Sequence, residues 1–221
     1  MSAAQHLTTF HPGPLKLLVK TRNEIYQGQF EGKDAIFKYT NDQTREPTIL
    51  RKVGKPELYR VEDDVISPSG KEFELLIILE FIPGLTLHTK SSLAQFNLAT
   101  KACCYTKNID IDELPQHVKK SLLIQIMKCL KRLEILGIEY RDDTASNTII
   151  SEDWLEGKIG TVDIIDYGHS TLEGEGEYID TVTKACLLRL VSGALEAEQG
   201  ALAYAESGYT DPVRARRSVQ K

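Results

Sequence analysis

Tyr140-Arg141-Asp142-Asp143-Thr144-Ala145-Ser146-Asn147 is followed, nineteen residues after Asn147, by Asp166-Tyr167-Gly168. Taken one at a time, each Asp or Asn in such loops reads as a turn former, because its short side chain bonds its own backbone and tolerates a left-handed conformation. Order sets this stretch apart: an Asp stands five positions ahead of an Asn, and a later Asp opens an Asp-aromatic-Gly triplet. Just upstream, Leu114 to Leu136 carries Val118, Leu122, Ile126, Leu130 and Leu133 at helical spacing. Asp110, Asp112 and Glu113 precede this predicted helix at its favourable end, and Gly137 stops it. Short strands are expected around Thr148 to Ile150 and Thr161 to Ile165, and a last helical region from about Ile179 to Tyr204.

Toward the front of the chain the pattern becomes strand-like. Leu15 to Tyr39 reads as strands and turns, with Ile25, Gly28, Phe30 and Gly32 spaced along them and Ala35-Ile36-Phe37-Lys38 as a further strand. Asp42 to Val53 reads as a short helix with Ile49, Leu50 and Val53 on its apolar side and Pro47 in its first turn. Val61 to Ile66 and Phe73 to Ile82 flank Ser67-Pro68-Ser69-Gly70, a turn signal between paired strands. Pro83-Gly84 reads as a linker, and a helix is expected from Ser91 to Ala102.

A chain of 221 residues with 41% hydrophobic side chains is sized for one domain or two small lobes with a sizeable core. A net charge of −5 gives no electrostatic ground for a general nucleic-acid or anionic-membrane partner, although Arg214, Arg216, Arg217 and Lys221 make the end of the chain basic. That tail reads as a solvated end. Cys103, Cys104, Cys129 and Cys186 form no CxxC pair and have no His at metal-ligand spacing, which argues against a zinc site and for a reducing compartment, cytosol or nucleus. The opening residues lack the apolar core of a signal peptide, and no apolar run reaches spanning length. A nonclassically secreted effector would share these features.

Several segments in order resemble the protein kinase superfamily. Ile25 to Lys38 is similar to the second and third strands of a kinase N-lobe, where an A-x-K strand supplies a phosphate-binding lysine, here Lys38. Glu46-Pro47-Thr48-Ile49-Leu50 has the E-x-x-I-L spacing of the helix whose glutamate pairs with that lysine. Leu75 to Gly84 resembles the last N-lobe strand and hinge, which implies that the backbone of Glu80 and Ile82 binds adenine and that Leu79 lies at the back of the pocket. Asp142 matches the catalytic base, Arg141 the arginine beside it, and Asn147 and Asp166 the two magnesium ligands. Tyr140 stands where the family has a mainly structural histidine, and Tyr167 where it has phenylalanine.

The resemblance implies an α+β, bilobal protein-kinase-like fold with a small antiparallel-sheet N-lobe (about 14–82), a hinge (about 80–85) and a truncated helical C-lobe (about 86–212). It implies an ATP- and Mg2+-dependent enzyme that phosphorylates a protein hydroxyl. Thr144 in place of the usual lysine makes the loop similar to that of the small kinase of the KEOPS complex, and the short segment after Gly168, with no A-P-E triplet, is similar to RIO-type minimal kinases. Asp180 reads either as an N-cap or as the start of the central C-lobe helix, and Asp143 as a solvent-facing residue or as a contact to metal or a cationic substrate. The clearest departure lies at Leu18 to Glu24, where no G-x-G-x-x-G covers the phosphates. Lys20, Arg22 or Thr21 would have to substitute through side-chain contacts. That gap keeps open a nucleotide-binding pseudokinase, while the missing peptide-docking platform and the acidic Asp142-Asp143 pair keep open a small-molecule kinase of the aminoglycoside-phosphotransferase kind.

Overall fold

A computed structural model of the chain describes residues 13–20, 22–41, 45–88, 107–140, 147–172, 202–203 and 205–208. The fold is α+β, and the chain divides into two compact units, one formed mainly by residues up to Ile82 and one mainly by those from Pro83 onward.

The first unit is built on a five-stranded antiparallel sheet of order β1-β2-β3-β5-β4, made of β1 (Lys16–Lys20), β2 (Glu24–Phe30), β3 (Lys33–Thr40), β4 (Leu58–Ile66) and β5 (Glu72–Glu80). Successive side chains of a strand point to opposite faces. In β3 this puts Ala35, Phe37 and Tyr39 into a buried cluster with Tyr26, Val65, Phe73, Leu76 and Ile78, and leaves Ile36 and Lys38 for the other face. The Ser67–Gly70 turn joins β4 to β5 as expected, closed by Gly70 N–H donating to the Ser67 carbonyl at 2.9 Å.

Helix α1 (Glu46–Val53) begins after Arg45, and residues 42–44 of the helix expected from Asp42 lie outside the described residues. It carries Pro47 in its first turn, where a missing N–H costs nothing, and ends at Gly54 with φ 76°, a left-handed C-cap suited to glycine. Its Ile49, Leu50 and Val53 are buried.

The second unit contains helix α2 (Gln116–Ile135), which buries Val118, Leu122, Leu123, Ile126, Met127, Leu130 and Leu133 along one stripe. The acidic residues expected at its start lie instead in and before a separate 3-10 turn, Ile111–Glu113, and Pro115 precedes the first helical turn. A four-stranded sheet of order β10-β9-β6-β7 joins β6 (Leu85–His88), β7 (Lys107–Asp110), β9 (Thr148–Ile150) and β10 (Val162–Ile164), with β6 and β7 parallel. A small pair, β8 (Ile138–Glu139) with β11 (Thr171–Leu172), completes it. The sequence foresaw β9 and β10, but not β6 and β7. Trp154 is buried, and its indole N–H donates to the Thr161 carbonyl at 3.0 Å, making it the anchor of the 151–160 connection. Among the described residues no helix is long and apolar enough to cross a membrane. The expected Ser91–Ala102 helix lies outside the described residues, as does most of the Ile179–Tyr204 region, of which 202–203 and 205–207 are helical.

Candidate functional site

In the first unit, Lys38 and Glu46 meet. Alternation along β3 points Lys38 away from the Tyr26–Phe37 cluster, and helix α1 begins eight residues later with Glu46 in its first turn, where a carboxylate also suits the positive end of the helix. Lys38 Nζ donates to Glu46 Oε2 at 2.7 Å, with side chains only 12% and 3% exposed. At that burial an ion pair sits where removing one partner strands the other charge. The arrangement fixes an ammonium group, a donor of the kind that suits phosphate oxygens, beside buried strands.

Lys20 ends β1 opposite Glu24, whose carboxylate feels its charge. Glu24 is buried and accepts from Tyr26 at 2.9 Å and from Ser69 at 2.7 Å. Burial pushes its carboxyl up, but hydrogen bonds from Ser69, Ser67 and Tyr26 with the charge of Lys20 outweigh burial and hold it below the usual value. Burial and the bond to Glu24 push the Tyr26 phenol up to about 12. Burial also pushes the phenol of Tyr39, edge-on to Tyr26 at 5.7 Å, up to about 12. No local pattern marks this network, since the turn serine lies 45 residues from the glutamate it binds.

At the end of β5, Leu79 is buried opposite Ile36, and Ile82 is buried just beyond the strand. Glu80 N–H donates to the Glu57 carbonyl at 2.8 Å, and its side chain accepts from Glu57 N–H at 3.0 Å. Of Glu80's backbone it is therefore the carbonyl on which an adenine contact would rely. Phe81 N–H donates to the Asp34 carbonyl at 3.2 Å, tying this segment to the start of β3.

In the second unit, the segment between β10 and β11 carries Asp166, half-buried, with φ 57°. A left-handed backbone costs a non-glycine residue about 1 kcal/mol or more, least for Asp and Asn. Gly168 N–H donates to Asp166 Oδ1 at 3.3 Å, which closes the turn. The residue before it, Ile165, donates its N–H to the Asn147 carbonyl at 2.9 Å, so the backbones of the two expected metal ligands are joined through one bond. Tyr140 donates its hydroxyl to the Ile165 carbonyl at 2.8 Å, and Tyr167 donates to the Ile164 carbonyl at 3.0 Å. The two rings meet edge to face with centroids 5.6 Å apart.

Arg141, Asp142, Asp143, Thr144 and Asp180 lie outside the described residues. Among the described residues no three His, Cys, Asp or Glu side chains gather as a metal site. A carboxylate and an amide oxygen, as offered by Asp166 and Asn147, are nevertheless hard donors of the type that suits Mg2+, which keeps several waters and binds largely through substrate phosphates. No protein-family model matches the chain, and no curated protein matches it either.

Proposed function

We propose that the chain is an ATP- and Mg2+-dependent phosphotransferase: a minimal, atypical serine/threonine protein kinase with a bilobal kinase-like fold that transfers the γ-phosphoryl group to a protein hydroxyl. The observation that carries the reading is the buried Lys38–Glu46 pair at 2.7 Å, a lysine on the third strand of an antiparallel sheet held by the first turn of the next helix. A pair placed only for stability gains little over apolar side chains of the same volume, which makes a second use for the ammonium the economical explanation.

In this scheme Lys38, steered by Glu46, binds the α and β phosphates, and Asn147 and Asp166 orient magnesium on the nucleotide. Bound ATP supplies the phosphoryl group, and Mg2+ its charge neutralisation. Asp142 accepts the proton of the attacking hydroxyl, with Arg141 beside it. Glu80 and Ile82 hold the adenine edge through their backbone, against Leu79, and Lys20 supplies a further cation toward the phosphates. Catalysis is then positioning and charge stabilisation rather than covalent chemistry.

The test is intact-mass spectrometry after incubation with ATP and Mg2+ and a mixture of Ser- and Thr-containing protein acceptors. Phosphate added by the natural chain and not by Asp142→Asn is the expected outcome. A melting shift with ATP but no phosphate on any acceptor favours the second reading, a nucleotide-binding module without transfer. One observation supports that second reading: β1 and β2 pair Lys20 with Glu24, so three residues with no glycine make the connection that a phosphate-covering loop would need.

A further inference from the structure

The turn that presents Asp166 is fastened in a way that the reaction scheme does not require. Ile165 has both flanking peptide groups engaged, its N–H on the Asn147 carbonyl at 2.9 Å and its carbonyl on the Tyr140 hydroxyl at 2.8 Å. One residue earlier, the Ile164 carbonyl accepts from Tyr167 at 3.0 Å. Just beyond, Ser170 N–H donates to the Tyr167 carbonyl at 3.0 Å. Between these ties stands Asp166 in its left-handed conformation, the kind of backbone state that persists only where surrounding contacts enforce it.

Both tyrosines are buried, at 4% and 2% exposure, and their rings brace each other. Tyr167 reaches back three residues to bind a carbonyl on the strand from which its own turn departs, while Tyr140 reaches the next carbonyl from the end of β8. A phenylalanine at either position would fill the same space and keep the ring contact. It would leave a buried carbonyl without that donor, which is costly where water cannot replace it.

We propose that Tyr140 and Tyr167 are positioning residues whose hydroxyl groups pin the two carbonyls ahead of Asp166 and keep its carboxylate in one orientation before any ligand arrives. The use of that orientation for Mg2+ rests on the function proposed above; the pinning itself does not. A turn held this way does not alternate between orientations, so the site is set by folding rather than switched.

Hydrogen exchange of the unliganded full chain tests the pinning. Tyr140→Phe and Tyr167→Phe are each expected to speed exchange of the Ile165 to Gly168 amides about fivefold, the loss of one ordinary hydrogen bond, and the double variant more. Amides of Ile36 to Tyr39 should keep their wild-type rates. Ser151→Ala, which removes a hydroxyl that accepts from Thr161 N–H in the same unit, should leave residues 165–168 unchanged. Exchange at 165–168 as slow in both Phe variants as in the natural chain, or equally fast in Ser151→Ala, would overturn the proposal.

A second readout separates the two claims. The Mg2+ concentration giving half the ATP-induced melting shift should rise about fivefold in each Phe variant. Faster exchange in the variants, with a natural chain whose melting ignores Mg2+ and ATP, would leave the pinning standing and sink the assignment of a nucleotide site. Faster exchange with an unchanged Mg2+ requirement would overturn the link between the hydroxyls and the metal.

Discussion

At the scale of single residues, Lys38 and Glu46 carry the most testable chemistry. Lys38→Met strands a buried carboxylate and should lower stability by about 3 kcal/mol. Replacing both partners, Lys38→Met with Glu46→Leu, should recover most of that loss in a denaturant melt while ATP binding stays weakened. A double variant that binds ATP as tightly as the natural chain would mean that the pair is only structural. Glu24 gives a pH-dependent prediction. Its folded pKa is depressed below 4.5, so its contribution to stability is fully present above the unfolded value and disappears as pH falls through the folded one. Glu24→Gln should therefore cost about 2 kcal/mol at pH 7, as expected for hydrogen bonds to a buried charge, and progressively less below about pH 4.5. A cost independent of pH from 7 to 3 would contradict the assigned ionisation.

At the scale of elements, alternation and helical spacing reached most of the described segments. The β2–β3 hairpin, the Ser67–Gly70 turn and α2 were legible because each is decided by local pattern: period two, a Pro-Ser-Gly turn and apolar residues three and four apart. The parallel β6–β7 pair was not, because Leu85 and Lys107 are matched across a long connection that leaves no local mark. Gly84 belongs to this hidden class. In the sequence it reads only as part of a linker, yet a Cβ there would come within 2.5 Å of the Ile150 carbonyl oxygen and 2.6 Å of Ile149 Cγ2, with φ at 156°. Gly84→Ala should lower stability by about 2 kcal/mol through this overpacking, whereas alanine at Gly13, which meets nothing, should leave the melting temperature within experimental error. The site divides the same way. The Lys38–Glu46 pair was expected from the resemblance of Ile25 to Lys38 and Glu46 to Leu50 to kinase segments, not from local pattern, and the hydroxyl bonds of Tyr140 and Tyr167 depend on which carbonyls tertiary structure brings near, which sequence order does not carry.

At the scale of the whole molecule, the residues proposed for phosphate and metal come from both compact units: Lys38 and Glu46 from the first, Asn147 and Asp166 from the second. Each set has its own local support, a buried ion pair in one and a pinned left-handed turn in the other. The proposed function makes the same demand of each set: a change in either should weaken the binding of ATP with Mg2+. Calorimetric titration of the full chain with ATP, with and without Mg2+, measures this most directly. The account predicts saturable one-to-one binding that strengthens with Mg2+, weakened about 10- to 100-fold by Lys38→Met, and largely deprived of its Mg2+ dependence by Asp166→Asn. No binding at millimolar ATP, or binding that both variants leave unchanged, would contradict it.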